Sequence, residues 1–333
     1  ANSCLDHPLA CLSIPTAFGG SGVMLFFLIS GFCVHLPQAG KTTPLDLRVY
    51  GIRRFFRIYP PYLAAVAFTM LCALIARSLG TPSETSAEVW WQTLLMVQNY
   101  GAGQPGPNPA FWSLPVEMEL YLAYGVMLSL VRRWGWPAGL MIVGAVSVGF
   151  NLLLFALGRP DFHGNFLQFW LIWSAGALLA EWWVTGRVPT FRIGWALLAL
   201  GLLGVAVRVR FLALPIVVHD HLWAGFYFLV LWLALARTGW FERFPSSVRS
   251  GLTLLGTCSY SVYLIHFPLF FVWGAAWRAS FGTKPSSFLV PIAATVLVIP
   301  LAWLFWRLTE DPSQRLARTL ARRRQEKAAV GVL

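Results

Sequence analysis

Long apolar segments alternate with short polar or charged segments along almost the whole chain. A helix needs about 20 mostly apolar residues to cross the hydrocarbon core of a membrane. Nine segments reach that length, near residues 20–37, 59–79, 112–131, 137–157, 165–184, 191–213, 216–236, 254–277 and 286–307. The pattern therefore predicts an all-α integral membrane protein with about nine transmembrane helices.

We expect one membrane domain, covering residues 1–333, with three parts. Residues 1–19 form an outer segment, residues 20–307 form the helical bundle, and residues 308–333 form a basic cytoplasmic tail. The longest loop feature is the glycine- and proline-rich stretch from Gly101 to Pro109. No internal repeat or separate soluble domain is visible in the sequence.

The cationic residues are distributed unequally between alternate sides of the nine runs. Of the 25 lysines and arginines, 19 lie after the first, third, fifth, seventh and ninth runs. Cytoplasmic loops carry the excess of Lys and Arg in membrane proteins, so these loops and the C-terminus face the cytoplasm and Ala1 lies outside. Nine spans with a cytoplasmic C-terminus put the first residue outside. We therefore expect one further span upstream of Ala1, which would give ten spans with both termini inside.

Composition supports a membrane protein and argues against a soluble one. Only 11% of the residues are charged, against about 25% in an average soluble domain. The net charge of +12 comes from arginines between apolar runs, which indicates contact with anionic lipid headgroups rather than nucleic acid. The five cysteines show no metal-binding spacing. Cys4 and Cys11 share a polar segment, and the sequence leaves open whether they form a disulfide.

A pair of arginines, Arg54 and Arg57, stands at helical spacing just before Tyr59-Pro60-Pro61. One interpretation is a cluster that only sets topology, followed by a helix that starts at the prolines, where proline is tolerated. The other is a phosphate site, because two guanidinium groups on one helix face suit bidentate contacts with an anionic ligand. The pattern alone leaves both open.

Two acids open a span in the segment Trp112–Tyr121. A carboxylate inside a membrane is costly, so acids there have functional roles or lie at the interface. Glu117 and Glu119 are two residues apart and therefore point to different faces of a helix. We select Glu117 as the functional one.

Histidines provide the candidate acid–base groups. His266 falls in mid-span beside Pro268, and an ionisable residue in a membrane indicates function by default. Histidine also titrates near neutral pH as a general base. His35 is a weaker candidate because Pro37 follows, so that it could merely cap a helix end. His163, His219 and His221 are assigned to outer loops.

After the last run, Glu310-Asp311-Pro312 predicts an interfacial helix break, with acids that pair with arginines nearby in the sequence. The chain shows no glycine-rich phosphate loop, no serine–histidine–acid order and no metal-ligand spacing. The motifs of soluble nucleotide enzymes are thus absent.

Four blocks in this order resemble the acyltransferase-3 family of multi-spanning membrane O-acyltransferases. They are Gly22–Phe32 with the following Cys33–Pro37, Arg53–Tyr62, Trp112–Tyr121 and Tyr260–Pro268. The resemblance extends from Gly22 to about Pro312. It implies a ten-helix fold that transfers an acyl group, commonly acetyl, from cytoplasmic acyl-CoA to a hydroxyl of a carbohydrate or similar acceptor.

The resemblance also implies roles for individual residues. Arg54 and Arg57 match the family's arginine pair, which is associated with acyl-CoA binding. The family's principal histidine lies in its first span, which we expect upstream of Ala1, and His7 is not equated with it. His266 and Glu117 are then expected to support catalysis by lining the path.

The expected protein is thus an O-acyltransferase of the bacterial inner membrane. Its expected partners are acyl-CoA, a carbohydrate or lipid-linked acceptor and membrane lipids, with no metal and no nucleic acid. The alternative is a transporter that moves an acyl group or small metabolite without forming an ester. A transporter would also place ionisable groups in mid-membrane, but it often shows broken helices in two matched halves, and no such pairing is visible.

Overall fold

The computed structural model describes residues 19–83, 85–101, 103–159, 164–209, 212, 215–237, 239–283, 285 and 289–330. Within these ranges the regular structure is entirely helical. The helices are α1 (Gly22–His35), α2 (Leu47–Ser78), α3 (Ala87–Leu94), α4 (Ser113–Ala156), α5 (Phe166–Val184), α6 (Ile193–Val209), α7 (Ile216–Ala236), α8 (Gly239–Glu242), α9 (Ser246–Phe281), α10 (Leu289–Phe305) and α11 (Asp311–Val330). Our expectations for Cys4, Cys11, His7 and His163 lie outside the described residues.

In the described residues, each of the nine predicted apolar runs falls on a helix. The third and fourth runs share α4, which breaks at Gly135 with φ 80° and ψ 168°. Glycine adopts a positive φ without steric cost, so it separates two helical stretches at this point. Five helices in the described part are long and apolar enough to cross a membrane, namely Leu47–Ser78, Pro109–Ala156, Ile216–Ala236, Ser246–Phe281 and Leu289–Glu326. The number of nine crossings stays a prediction.

The chain divides into two compact units. The first comprises Ala1–Pro44 and Glu119–Arg243, and in it α1 packs on α5 and α7, while α6 packs on α7. Two glycines allow the closest of these crossings. A Cβ added to Gly31 would overlap the main-chain carbonyl of Trp173, and one added to Gly176 would overlap that of Leu28. Small residues let the backbones of membrane helices approach in this way.

The second unit comprises Leu45–Met118 and Phe244–Leu333. In this unit α2 packs on α9 and α11, and α10 packs on α9. The α2 helix begins at Leu47, where the Asp46 side chain caps it by accepting from the amides of Arg48 and Val49 at 3.0 Å each. An acid at this position satisfies amides that have no partner within the helix.

The predicted helix start at Tyr59-Pro60-Pro61 is wrong, because both prolines lie inside α2. A proline has no N–H, so the carbonyl four residues earlier loses its donor. For Pro60 that carbonyl belongs to Phe56, and the hydroxyl of Ser313 donates to it instead. A donor from another helix thus compensates for the proline, and Arg54 and Arg57 lie within a helix rather than before one.

The predicted helix break at Glu310-Asp311-Pro312 is also wrong. The chain passes from α10 through a π turn at Trp306–Glu310 directly into α11. A π turn widens the helix by one residue, and such turns occur frequently at functional sites. The segment predicted as a basic tail is therefore helical over residues 311–330.

Candidate active site

A buried ion pair joins α2 to the π turn in the second unit. Glu310 is 0% exposed, and the guanidinium of Arg57 donates to its Oε1. The hydroxyl of Ser261 donates to Oε2 over 2.9 Å, and the amide of Gln314 donates to Oε1 over 3.0 Å. A buried carboxylate is tolerated only when it is paired and hydrogen-bonded, and these three donors meet that need.

This pairing differs from the sequence prediction. Asp311 does pair with the nearby Arg315 over 2.7 Å, as expected. Glu310 pairs instead with Arg57, 253 residues away, because the packing of α2 against the end of the chain brings them together. One member of the candidate phosphate-binding pair is therefore held by an acid that the sequence did not connect to it.

The surroundings of the two arginines place them along one side of α2. The Arg57 side chain is 37% exposed, and its Cζ lies 5.4 Å from the ring centre of Tyr260. The hydroxyl of Tyr260 donates to the carbonyl of Ile58 over 3.2 Å, which fixes α9 beside α2. Arg54, one helical turn earlier, has its Cζ 5.6 Å from the ring centre of Tyr50.

The two acids of α4 have separate surroundings, as their spacing predicted. Glu117 is fully buried in the second unit. Glu119 belongs to the first unit, where its Oε2 accepts from the amide of Phe166 at the start of α5 over 2.9 Å. That contact satisfies an amide that has no partner within α5. The two acids therefore lie in different surroundings, and the choice of Glu117 as the functional acid stays a prediction.

The imidazole of His266 is held by its own helix. Its Nδ1 lies 2.8 Å from the carbonyl oxygen of Tyr263 and 3.1 Å from that of Val262. A carbonyl can only accept, so Nδ1 carries the hydrogen, and the neutral ring has its lone pair at Nε2. The ring centre of Phe267 is 4.4 Å from that of the imidazole. His266 can accordingly accept a proton at Nε2 or orient a polar group there.

A short hydrogen bond brings the elements that carry Glu117 and His266 together. The hydroxyls of Ser113 and Tyr263 are 2.6 Å apart, and Tyr263 donates to the carbonyl of Ala110 over 2.6 Å. Glu117 lies four residues after Ser113, and His266 lies three residues after Tyr263. Residues at these spacings share a helix face, so Glu117 and His266 each lie on the face of their own helix that carries the Ser113–Tyr263 contact.

Sequence reasoning missed the amide side chains that support this region. Asn108, which is fully buried, donates to the carbonyl of Leu264 over 2.9 Å and to the hydroxyl of Thr69 over 3.3 Å. Gln98 donates to the carbonyl of Phe111 over 3.3 Å. The signal in the sequence was Pro268, because a mid-helix proline requires a donor for the carbonyl of Leu264. Nothing in the sequence identified which residue would supply that donor.

His35 is more than a helix cap. It is buried in the first unit, with Nδ1 3.0 Å from the hydroxyl of Tyr124 and Nε2 3.0 Å from Oε2 of Glu181. The same carboxylate oxygen accepts from the amide of Gly40 over 3.0 Å.

The segment that follows α1 is held by a second group as well. The guanidinium of Arg132 donates to the carbonyls of Lys41 and Thr43 over 3.2 and 2.8 Å. Together with the Glu181 contact to Gly40, these hydrogen bonds fix the segment after α1.

His219 and His221 lie within α7 and not in a loop, which corrects the sequence prediction. Nε2 of His219 accepts from the indole of Trp223 over 3.0 Å, and its Nδ1 is 3.5 Å from Oδ1 of Asp220. Nδ1 of His221 lies 2.8 Å from the carbonyl of Val217. Over the part of the chain that the structure covers, no group of three His, Cys, Asp or Glu residues could hold a metal ion.

Long apolar helices around buried ionisable side chains define a multi-helix membrane protein. The family profile described as an acyltransferase domain, that of the acyltransferase-3 family, matches residues 6–307. The chain belongs to this family and is an enzyme that transfers acyl groups other than amino-acyl groups. No solved structure matches the chain.

Several curated proteins are similar to the chain. The exopolysaccharide production protein ExoZ of Rhizobium meliloti is 26% identical, over 92% of this chain and 95% of its own length. Nodulation protein 10 of Rhizobium leguminosarum is 27% identical, over 50% of each chain. The peptidoglycan O-acetyltransferase OatA of Listeria monocytogenes is 24% identical, over 88% of this chain and 52% of its own length. The chain thus spans about half the length of the latter two.

Proposed function

We propose that the protein is an O-acyltransferase of a bacterial inner membrane, which moves an acetyl group from cytoplasmic acyl-CoA to a hydroxyl of a carbohydrate. The family supports the acyl transfer. The relatives named for exopolysaccharide production and for peptidoglycan O-acetylation support a carbohydrate acceptor. Membership of an acyltransferase family favours this function over the transporter alternative.

The observation that carries the donor assignment is the arrangement of Arg54 and Arg57 on α2. Arg57 is oriented by the buried Glu310 and still 37% exposed, so its guanidinium is fixed in direction while part of it reaches the surface. A preorganised guanidinium loses less entropy when it binds a phosphate. Arg54, one turn away, supplies the second charge, and the two together suit the phosphates of coenzyme A.

The proposed chemistry is a single acyl transfer. The acceptor oxygen attacks the thioester carbonyl, the new C–O bond forms, the C–S bond breaks, and the thiolate of coenzyme A leaves with the electron pair. A base takes the proton of the acceptor hydroxyl, a contribution of typically about 10²–10⁴-fold. Nε2 of His266 and the carboxyl of Glu117 line the path and orient the reacting groups.

The test is the affinity for labelled acetyl-CoA, measured on the purified protein in detergent. We expect Arg54→Ala to weaken binding by about tenfold or more, the effect of losing a charge-assisted hydrogen bond. Arg53→Ala is the matched control, since Arg53 is exposed on the same helix, and it should bind normally. Equal acetyl-CoA affinities for the Arg54 and Arg53 variants would mean that Arg54 and Arg57 only set the membrane topology, and this result would reject the proposal.

A further inference from the structure

A cavity of about 440 Å³ lies in the first unit where α5 and α7 end and α6 begins. Its lining includes Trp183, Val188, Phe191 and Arg237. The volume falls in the range of small-molecule sites, about 300–1,000 Å³. None of these residues takes part in the proposed acyl transfer, so the cavity requires its own explanation.

The wall of this cavity is held in place by defined contacts. The α5 helix ends in a turn at Gly186, whose φ is +67°, and the amide of Arg187 donates back to the carbonyl of Trp182 over 2.9 Å. A hydrogen bond from an amide to the carbonyl five residues earlier, with a glycine of positive φ just before that amide, is the Schellman motif that ends many helices. The indole of Trp232 then donates to the carbonyl of Pro189 over 2.9 Å. The segment from α5 to α6 is thereby anchored to α7.

The charge around the cavity is positive. Arg237 lines it, and Arg187 and Arg192 flank the lining segment Val188–Phe191, all three being exposed. In sequence, residues 185–192 and 237–243 together hold four arginines and a single acid, Glu242. The distribution of Lys and Arg along the sequence predicts that this end of the helices faces the cytoplasm. Basic pockets between helices on that side bind the headgroups of anionic lipids.

Exposed apolar side chains lie beside the arginines that surround the cavity. Trp183 and Trp240 are 40% and 52% exposed, and Ile193 at the start of α6 is 78% exposed. Tryptophans in such positions form the interfacial belt of membrane proteins. The Cζ of Arg237 lies 5.7 Å from the ring centre of Trp240. A soluble anion would use only the arginines, whereas a phospholipid would use the arginines for its phosphate and the apolar surface for its chains.

We propose that this cavity binds the headgroup of an anionic phospholipid from the cytoplasmic leaflet. Arg237 contacts the phosphate, and the exposed tryptophans contact the upper part of the acyl chains. The proposed lipid site uses none of the residues assigned to donor binding and does not depend on the proposed acyl transfer. It gives the first unit a lipid-dependent anchor at the membrane surface.

The test measures bound lipid by native mass spectrometry on the purified protein titrated with phosphatidylglycerol or phosphatidylcholine. Arg237→Gln removes the charge, and Thr190→Trp fills the cavity from its lining. We expect each variant to weaken phosphatidylglycerol binding by about tenfold or more. Arg133→Gln is the control, because Arg133 is an exposed arginine on the same predicted side that does not line the cavity, and it should retain binding.

Three results would overturn the proposal. The first is equal affinity for phosphatidylglycerol and phosphatidylcholine, and the second is unchanged phosphatidylglycerol binding in both Arg237→Gln and Thr190→Trp. The third is displacement of the lipid by glycerol 3-phosphate at the same concentration, since this would mean that a free phosphate ester suffices. Both variants alter exposed positions, and their thermal unfolding midpoints are to be measured to establish that each remains folded.

Discussion

The side-chain amide of Asn108 donates to the main-chain carbonyl of Leu264 over 2.9 Å. That carbonyl is four residues before Pro268, which has no N–H to offer it. A buried residue from a connecting loop thus replaces the missing hydrogen bond in the middle of α9. The proline lies two residues after His266, so the same contact stabilises the part of α9 that carries the candidate histidine.

We expect Asn108→Ala to lower the free energy of unfolding by about 1–3 kcal/mol, because a buried carbonyl loses its donor. The chain has 17 tryptophans, so thermal unfolding in detergent can be followed by intrinsic fluorescence. Pro268→Ala provides the control, since it restores an N–H for the Leu264 carbonyl. In that background Asn108→Ala should cost clearly less, and an equal cost in both backgrounds would show that the Leu264 contact contributes nothing.

The glycines at the crossing of α1 and α5 give a second prediction. Gly31→Ala and Gly176→Ala each place a methyl group onto a backbone carbonyl of the facing helix, and backbone cannot move aside as a flexible side chain can. We expect each to cost more than the roughly 1–3 kcal/mol typical of an overpacked core, visible as a lower unfolding midpoint and a lower yield of monodisperse protein.

Gly125→Ala is the matched control for this crossing. Gly125 lies inside α4, and a Cβ there would meet nothing within 4 Å. Alanine is better than glycine in a helix by about 1 kcal/mol, so this variant should be as stable as the parent or more stable. If Gly31→Ala behaved like Gly125→Ala, the close approach of α1 and α5 would be refuted.

The apolar pattern predicted where helices lie but not how they end. All nine runs fall on helices because hydrophobic length is a local property of the sequence. The apolar pattern does not predict the start of α2 at Leu47, because the first turns of this helix are charged and proline is tolerated at a helix start. In the structure Ser313 supplies the donor that lets α2 pass Pro60, and that contact depends on tertiary packing.

The candidate site shows the same limit. Arg54, Arg57, Glu117 and His266 could be selected because charged residues in a membrane segment are costly and therefore informative. Their roles stay predictions. The pairing of Arg57 with Glu310 spans 253 residues, and spacing along a sequence carries no information about such a contact.

The Arg57–Glu310 pair should respond asymmetrically to substitution. Glu310 is fully buried while Arg57 is 37% exposed. Arg57→Ala leaves an unpaired carboxylate inside the protein, which typically costs about 3–5 kcal/mol. Glu310→Gln leaves a guanidinium that reaches the surface, so we expect a smaller loss. The unfolding midpoint should rise again in the double variant Arg57→Ala, Glu310→Gln, and a further fall there would contradict the pairing.

The contacts of His35 allow a graded test. Tyr124→Phe removes one hydroxyl from Nδ1 and should cost about 1 kcal/mol, the value of one hydrogen bond. Glu181→Ala removes the acceptor of both His35 and the amide of Gly40, so it should cost more. Unfolding midpoints of the two variants give the comparison, and an order opposite to this one would mean that Glu181 does not fix the segment after α1.

The role of His266 can be separated from its structural contacts by comparison with His221. Both rings are tied through Nδ1 to a carbonyl of their own helix, at 2.8 Å to Tyr263 and 2.8 Å to Val217 respectively. Replacing either by alanine removes the same kind of bond, so the two variants should lose similar stability. Only His266→Ala should lower the transfer rate from acetyl-CoA, by about 10²-fold because Nε2 no longer orients the reacting groups, while donor affinity stays constant. Equal transfer rates in the two variants would remove His266 from the site and leave the ring as a packing group of α9.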